Sequence, residues 1–232
     1  MILPLLLCHF AHFAVQKLKE NRKPRSTRKI AKWRFVDRAN PMTAETKPPL
    51  FELLREPLPG VKILRPFQHA DERGCFVKTF HDGGLASHGL HMILREEFYS
   101  VSARNVIRGM HFQLPPHAHQ KIVTCLRGRV LDVVLDLRQG SPAYGKSVAL
   151  ELSDRNRLIA WLPVGVAHGF LSLEDDSCVV YKTDTVHNPA FDSGLRWDSF
   201  GFPWPVDNPV LSPRDLHHPG FAEFTTPFVF EA

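Results

Sequence analysis

The 232-residue sequence has no paired cysteines, no long helical period and no apolar run of membrane length, and each lack removes a class of protein. Its four cysteines, Cys8, Cys75, Cys125 and Cys178, stand far apart with no Cys-x-x-Cys among them. That excludes a disulfide-dense scaffold and a zinc ribbon, and reads as free thiols in a reducing, cytoplasmic compartment. The apolar stretch "MILPLLLCHFAHFAV" is short of the roughly twenty residues needed to cross a bilayer. It also lacks the basic lead and small-residue cleavage pattern of a secretory signal. No membrane partner is expected unless this stretch acts as an anchor. Beyond residue 50 no sustained 3.6-residue apolar period and no internal repeat occur, which leaves strands as the building material.

The formal charge of +5 is unevenly spread. Residues 1–41 hold ten Lys and Arg against two acids, whereas the remainder holds nineteen against 22. The basic excess therefore belongs to the N-terminal segment, and charge gives no reason to expect a nucleic-acid partner. Residues 1–41 are expected to be a disordered or over-extended leader, with one folded domain over 42–232.

From residue 50 on, short apolar runs alternate with Gly, Pro, Asn and Asp turns. "VIRGMHF", "KIVTCLRGRVLDVVLDLR", "SVALELS", "RLIAWLP", "GFLSLE" and "SCVVYKTD" read as strands. Within "VLDVVLDLR", Leu131, Val133, Leu135 and Leu137 share one face and Val130, Asp132, Val134 and Asp136 the other. A face with two acids is either solvated or lines a polar cavity. Gly128 in "RGRV" reads as a hairpin turn, "LSDRNRL" as a second turn, and "HDGGLASHGL" as a short helix. Many short strands with close turns predict an all-β jelly-roll sandwich or barrel with a few short helices.

Histidines pose the functional question. His117-x-His119 has the spacing of two same-face strand ligands, and His168 in Pro163-x-Gly165-x-x-His168 matches the second motif of the cupin barrels. A metal cupin using His117, His119 and His168 is one reading. Against it, Val123 and Thr124 occupy the places where such sites supply a glutamate. Pro115 and Pro116 also put His117 on a loop, where an exposed side chain is expected. The other reading is acid–base chemistry beside a carbonyl. His111 lies on a strand, Lys121 opens the next, and Tyr181 and Lys182 share a third. A histidine can accept a proton near neutrality, a tyrosine can return one, and a lysine can hold an oxyanion.

In order, "DERGCF", "NVIRGMHFQ", "GRVLDVVLDLR", "SPAYGK", "WLPVGVAHGF", "VVYKT", "GLRWD" and "NPVLSPRD" resemble the dTDP-4-dehydrorhamnose 3,5-epimerase family over about residues 60–216. The resemblance implies a jelly-roll homodimer without metal or other cofactor. It would invert C3, C5 or both in a nucleotide-activated 4-keto-6-deoxy sugar, within deoxysugar and polysaccharide biosynthesis. It also implies that His111 is the base, Asp215 its orienting carboxylate, Tyr181 the proton donor and Lys121 the enolate-stabilising lysine. Arg73 and Arg108 would bind substrate, with His168 near the reacting carbonyl. Arg214 stands where the family often has lysine.

The chain departs from the pattern at the nucleotide end. Glu96-Glu97-Phe98 replaces Gln-Asp-Asn, Lys78 replaces a glutamate, His187 replaces a thymine-stacking tyrosine, and Asp192 replaces a glutamate near the base. These substitutions leave dTDP and CDP open as the carrier. A 3,4-ketoisomerase on the same scaffold is the rival enzyme, disfavoured by the complete His111, Asp215 and Tyr181 set. A non-catalytic sugar binder would have lost the base or the donor, and both are present.

Overall fold

The computed structural model describes residues 48–231. The expectations for residues 1–41, and the choice of Met42 as the start of the domain, lie outside them. Strands and helices are numbered in chain order. One sheet runs in the order β1 (Phe51–Leu58), β2 (Val61–Pro66), β10 (Ile159–Leu162), β7 (Lys121–Arg127), β12 (Ser177–Thr183), β5 (Glu96–Ser102). The second runs β13 (Asp192–Gly194), β6 (Ile107–Gln113), β11 (Val166–Ser172), β8 (Arg129–Asp136), β9 (Ser147–Ser153). A separate hairpin pairs β3 (Gln68–Asp71) with β4 (Gly74–Val77), and two short helices, α1 (Asp82–Ala86) and α2 (Pro213–Leu216), complete the elements used below. All strand pairs are antiparallel, giving the jelly-roll sandwich expected. Among the described residues no helix is long and apolar enough to cross a membrane.

Alternation explains the layers. Val123 and Cys125 of β7, Val179 and Tyr181 of β12, Val130 and Val134 of β8 and Phe170 of β11 meet between the sheets as the inner core. Their sequence neighbours turn outward and are covered too. Ile122, Ile159, Trp161 and Leu64 pack under α1 through Leu85, and Val133, Leu135 and Leu137 pack under the C-terminal segment through Phe228. A strand covered on both faces reads as a nearly continuous apolar run, which is why β7, β8 and β12 stand out in the sequence.

One expectation is corrected here and one open alternative is removed. Gly128 does not close a hairpin, because β7 pairs with β10 and β12 while β8 pairs with β9 and β11. It is a corner where the chain crosses between sheets. Its φ is +73°, and a Cβ there would sit 2.7 Å from Ser177 Oγ, so the corner requires glycine twice over. The acid-bearing face of β8 is not solvated either. It faces the inner core, where Asp132 and Asp136 are fully buried. Asp136 is held by Arg138 and Ser141 and serves the corner after β8, while Asp132 bonds His168.

Candidate active site

His111 on β6 and His168 on β11 are cross-strand partners on the inner face of the five-stranded sheet. The sequence Ser212-Pro213-Arg214-Asp215 builds the turn that meets them. Ser212 Oγ accepts the Asp215 backbone N–H at 3.1 Å, and Pro213 starts α2 where no N–H is needed. Asp215 thus projects from the first turn onto β6. Its Oδ1 lies 2.7 Å from His111 Nε2, and Gly109 N–H donates to its Oδ2 at 3.5 Å. Arg214 Nη2 also approaches His111 Nε2, at 2.9 Å, while Nη1 pairs with Asp192. Nε2 can carry one hydrogen, and the shorter carboxylate contact claims it, so Arg214 contributes charge rather than a hydrogen bond. That leaves Nδ1 with a free lone pair.

Burial pushes the His111 pKa below its ordinary value; Asp215 opposes this, and the positive charges of Arg214 and Lys121 add to it. Burial alone would raise Asp215, but the hydrogen bond and charge of His111, the Gly109 N–H and Arg214 hold it below the usual carboxylate range. Burial thus favours the neutral imidazole, and the hydrogen bond from it favours the Asp215 carboxylate. Lys121, at the start of β7, donates to the His111 carbonyl at 3.1 Å. Its burial lowers the ammonium pKa to about 8, a shift Asp192 and Asp132 oppose and Arg214 reinforces.

A cavity of about 320 Å³ opens over this group, lined among others by His111, Lys121, Arg214, Glu96 and Phe98. His187, Asp192 and His119 complete its polar wall. Glu96 accepts the His187 backbone N–H at 2.6 Å, and His187 Nε2 lies 3.4 Å from Asp192, so three of the substituted positions form one connected wall. A wider depression of about 450 Å³ beside His91, Arg95 and Asp184 has no paired base and acid.

Tyr181 comes from the opposite sheet. It is buried, its hydroxyl meets Ser100 Oγ at 3.3 Å, its ring stacks on Phe98, and His168 stands edge-on to it at 5.9 Å. Burial drives its pKa well above the usual phenol range, an effect that Ser100 opposes, so it keeps its proton.

Several expected site residues lie elsewhere. Arg73 sits at the tip of the β3–β4 hairpin, highly exposed and paired with Asp71, and Lys78 stands over Phe76 on the same hairpin. Neither lines the cavity. Arg108 donates to Ser102 Oγ and the Val101 carbonyl, which holds β6 to β5 and leaves it outside the lining. His168 is buried against Asp132 at 2.6 Å, behind the cavity wall. Lys182 turns to the outer face and pairs with Glu97.

The geometry does not gather the three proposed metal ligands. His117 meets Asn188 and packs at a tilt against Phe191, half-buried rather than exposed. His119 is held by Gln113, and burial depresses its pKa to about 3. His168 belongs to Asp132. The cluster with metal-ligand spacing among the described residues is instead His111, Asp215 and His218, with donor atoms within 4.8 Å of one another. Arg214 places its guanidinium on that same cluster, which opposes a cation. Chelators are accordingly expected to leave activity unchanged; loss of activity in EDTA with recovery on adding one divalent metal would refute this.

Some site residues escaped the sequence reading. Ser100, Gln113 and Thr183 each lie two positions from a named residue (Phe98, His111, Tyr181), so strand alternation could have found them. His218, edge-on to His111 at 5.9 Å in space that Gly194 leaves open, has no such signal.

Comparison with known proteins adds the following. Residues 55–223 match the family model described as dTDP-4-dehydrorhamnose 3,5-epimerase. A protein of that name from Shigella flexneri is 36% identical over 174 residues, covering 74% of this chain and 96% of its own. A dTDP-4-dehydrorhamnose 3-epimerase from Streptomyces niveus is 39% identical over 159 residues, covering 67% and 77%. A solved dTDP-6-deoxy-D-glucose-3,5-epimerase from Legionella pneumophila, in complex with dTDP-4-keto-L-rhamnose, superposes with a TM-score of 0.75 at 28% identity, covering 78% of this chain and all of that one.

Proposed function

We propose that this chain, which belongs to the dTDP-4-dehydrorhamnose 3,5-epimerase family, inverts a carbon beside the ketone of a nucleotide-linked 4-keto-6-deoxyhexose, with His111 as base and Tyr181 as proton donor. The observation that carries the assignment of roles is the 2.7 Å bond between His111 Nε2 and Asp215, which leaves Nδ1 free to accept a proton. The carbonyl at C4 acidifies the C–H on either side of it. The C–H bond breaks, its proton goes to His111 Nδ1 and its electron pair moves to the C4 oxygen as an enolate. Asp215 steadies the imidazolium, and Lys121 offsets the charge on the enolate oxygen. Tyr181 then gives its proton to the same carbon from the opposite face, and the carbonyl re-forms with that centre inverted. His111 and Tyr181 end with exchanged protonation and reset through solvent. No cofactor enters the balance.

The nucleotide is dTDP or CDP, with dTDP favoured by the names of the relatives. The wall of Glu96, His187 and Asp192 contacts it or its sugar, and Arg214 neutralises part of the diphosphate charge. The test is a panel of dTDP- and CDP-linked 4-keto-6-deoxyhexoses in D₂O followed by NMR. Exchange of the C3 or C5 proton with inversion is expected; movement of the ketone to C3 would mean a 3,4-ketoisomerase.

The protein works as a cytoplasmic homodimer in this reading. Tyr99, Val101 and Leu126 are exposed on the outer face of the β5–β12–β7 end of the sheet, and Tyr99 and Val101 lie directly opposite Val180 and Cys178. β5 is an edge strand. An apolar outer face on an open edge is a surface that needs covering. A two-fold partner would also give the exposed β3–β4 hairpin, with Arg73, Lys78 and Phe76, a site to reach in the second copy. Light scattering at micromolar concentration is expected to give twice the chain mass.

pH dependence follows from the two shifted groups. The base must be neutral, and its pKa lies below the ordinary histidine value, so the acid limb of kcat is shifted to lower pH than for an ordinary histidine. Lys121 must be charged, and its ammonium is lost above about 8, so kcat falls there. A rate that stays level to pH 10 would remove Lys121 from the enolate.

A further inference from the structure

We infer that Phe98 limits this enzyme to inverting one of the two carbons beside the ketone, by fixing the donor Tyr181 and walling off the space in which the sugar would turn. This rests on the epimerase reading above. Phe98 on β5 is the direct cross-strand partner of Tyr181 on β12, and the two rings stack 4.8 Å apart at 15°. Phe98 is 44% exposed and lines the cavity, and Tyr181, 8% exposed, adjoins it through the stack with Phe98. The phenol is held from three directions: Phe98 on its face, His168 at its edge and Ser100 Oγ at its hydroxyl. With no hydrogen-bonding group of its own, Phe98 meets the sugar as an apolar ring face.

One base and one donor can invert both C3 and C5 only if the sugar shifts between the two steps, or if the donor swings to follow it. The stack blocks the swing, because rotating Tyr181 would carry its ring into Phe98 or His168. It also blocks the shift, because the ring that would have to yield forms the cavity wall. The demand on position is severe: a misplacement of about an ångström can cost on the order of a hundredfold in rate. The second carbon therefore stays outside the reach of the donor once the first is placed. The asparagine that the family resemblance puts here is smaller and polar. It would free both the phenol face and the space beside it, and it could hold the sugar by hydrogen bonds in a second orientation.

The experiment compares the natural protein with Phe98→Asn and Phe98→Tyr on dTDP-4-keto-6-deoxy-D-glucose in D₂O. Products are reduced with borohydride and read by mass spectrometry and NMR. The natural protein and Phe98→Tyr, which keeps a ring in the stack, are expected to fix one solvent deuterium at one inverted carbon. Phe98→Asn is expected to fix two and to yield doubly inverted product, with the second inversion at least about tenfold faster than in the natural protein. Phe98 is half-exposed, so the asparagine variant should fold, and a thermal melt checks it. Double incorporation by the natural protein overturns the inference, as does single incorporation by a folded Phe98→Asn. Absence of exchange in all three proteins, repeated with the CDP-linked sugar, overturns the epimerase reading itself and the inference with it.

Discussion

Replacing His111 with asparagine is expected to lower turnover by roughly 10²–10⁴-fold, the usual contribution of a general base, and to abolish exchange of the sugar C–H with solvent. Asparagine ends at the level of Nδ1, short of Nε2, but Asp215 keeps the Gly109 N–H at 3.5 Å and the Arg214 guanidinium at 3.6 Å. The carboxylate is therefore not stranded and the fold should hold. What disappears is the nitrogen lone pair that meets the substrate. Asp215 cannot substitute for it. It is buried and does not line the cavity, so it has no path to the sugar C–H. Lys121 cannot substitute either, because below about pH 8 it carries its proton. The measurement is deuterium washout followed by NMR at pH 7, alongside product formation. If washout survives in His111→Asn at more than about a tenth of the natural rate, the proton is being removed by another group, and the base assignment fails.

The parts legible in the sequence are those where one physical signal dominates. β6, β7, β8 and β12 are covered on both faces, so their apolar runs announce them. β5 is hard to read because it is an edge strand: Glu97, Tyr99 and Val101 face outward, Phe98 lines the cavity, Ser100 meets Tyr181, and no clean alternation survives. The β3–β4 hairpin is exposed almost throughout and carries no apolar period at all. The Gly128 corner was misread because a glycine between two strong strands looks the same whether the chain turns back or crosses to the other sheet. The pairing partners decide, and they lie far along the chain. The site divides in the same way. His111, Lys121 and Tyr181 are visible as polar residues at inward positions of strands. The partnership of His111 with Asp215 spans 104 residues, and nothing local joins them. The resemblance to the epimerase family supplied it, and the capped turn at Ser212 explains it. Arg73 and Arg108 are assigned to substrate by that same resemblance, and within one copy of the chain Arg73 stands on an exposed hairpin and Arg108 bonds Ser102.

Replacing Tyr181 with phenylalanine is expected to separate the two halves of the reaction. The change removes one oxygen and keeps the ring, so the stack with Phe98 and the edge contact with His168 survive. The lost contact to Ser100 is long, at 3.3 Å, and its removal should cost no more than about 1 kcal/mol of stability. His111 and Asp215 are untouched, so the C–H proton still leaves and still exchanges. The enolate formed then has no acid on its far face. The imidazolium that has just accepted the proton then returns one to the side from which the first one left. In D₂O the substrate should therefore acquire deuterium without inversion. Product formation should fall by roughly 10²–10⁴-fold, while washout falls far less. The ratio of washout to inversion is the decisive quantity, because a variant that merely loosened the fold or weakened substrate binding would lower both together. If washout and inversion disappear equally in a folded Tyr181→Phe protein, Tyr181 is not a one-sided donor, and removal of the C–H proton also depends on its hydroxyl.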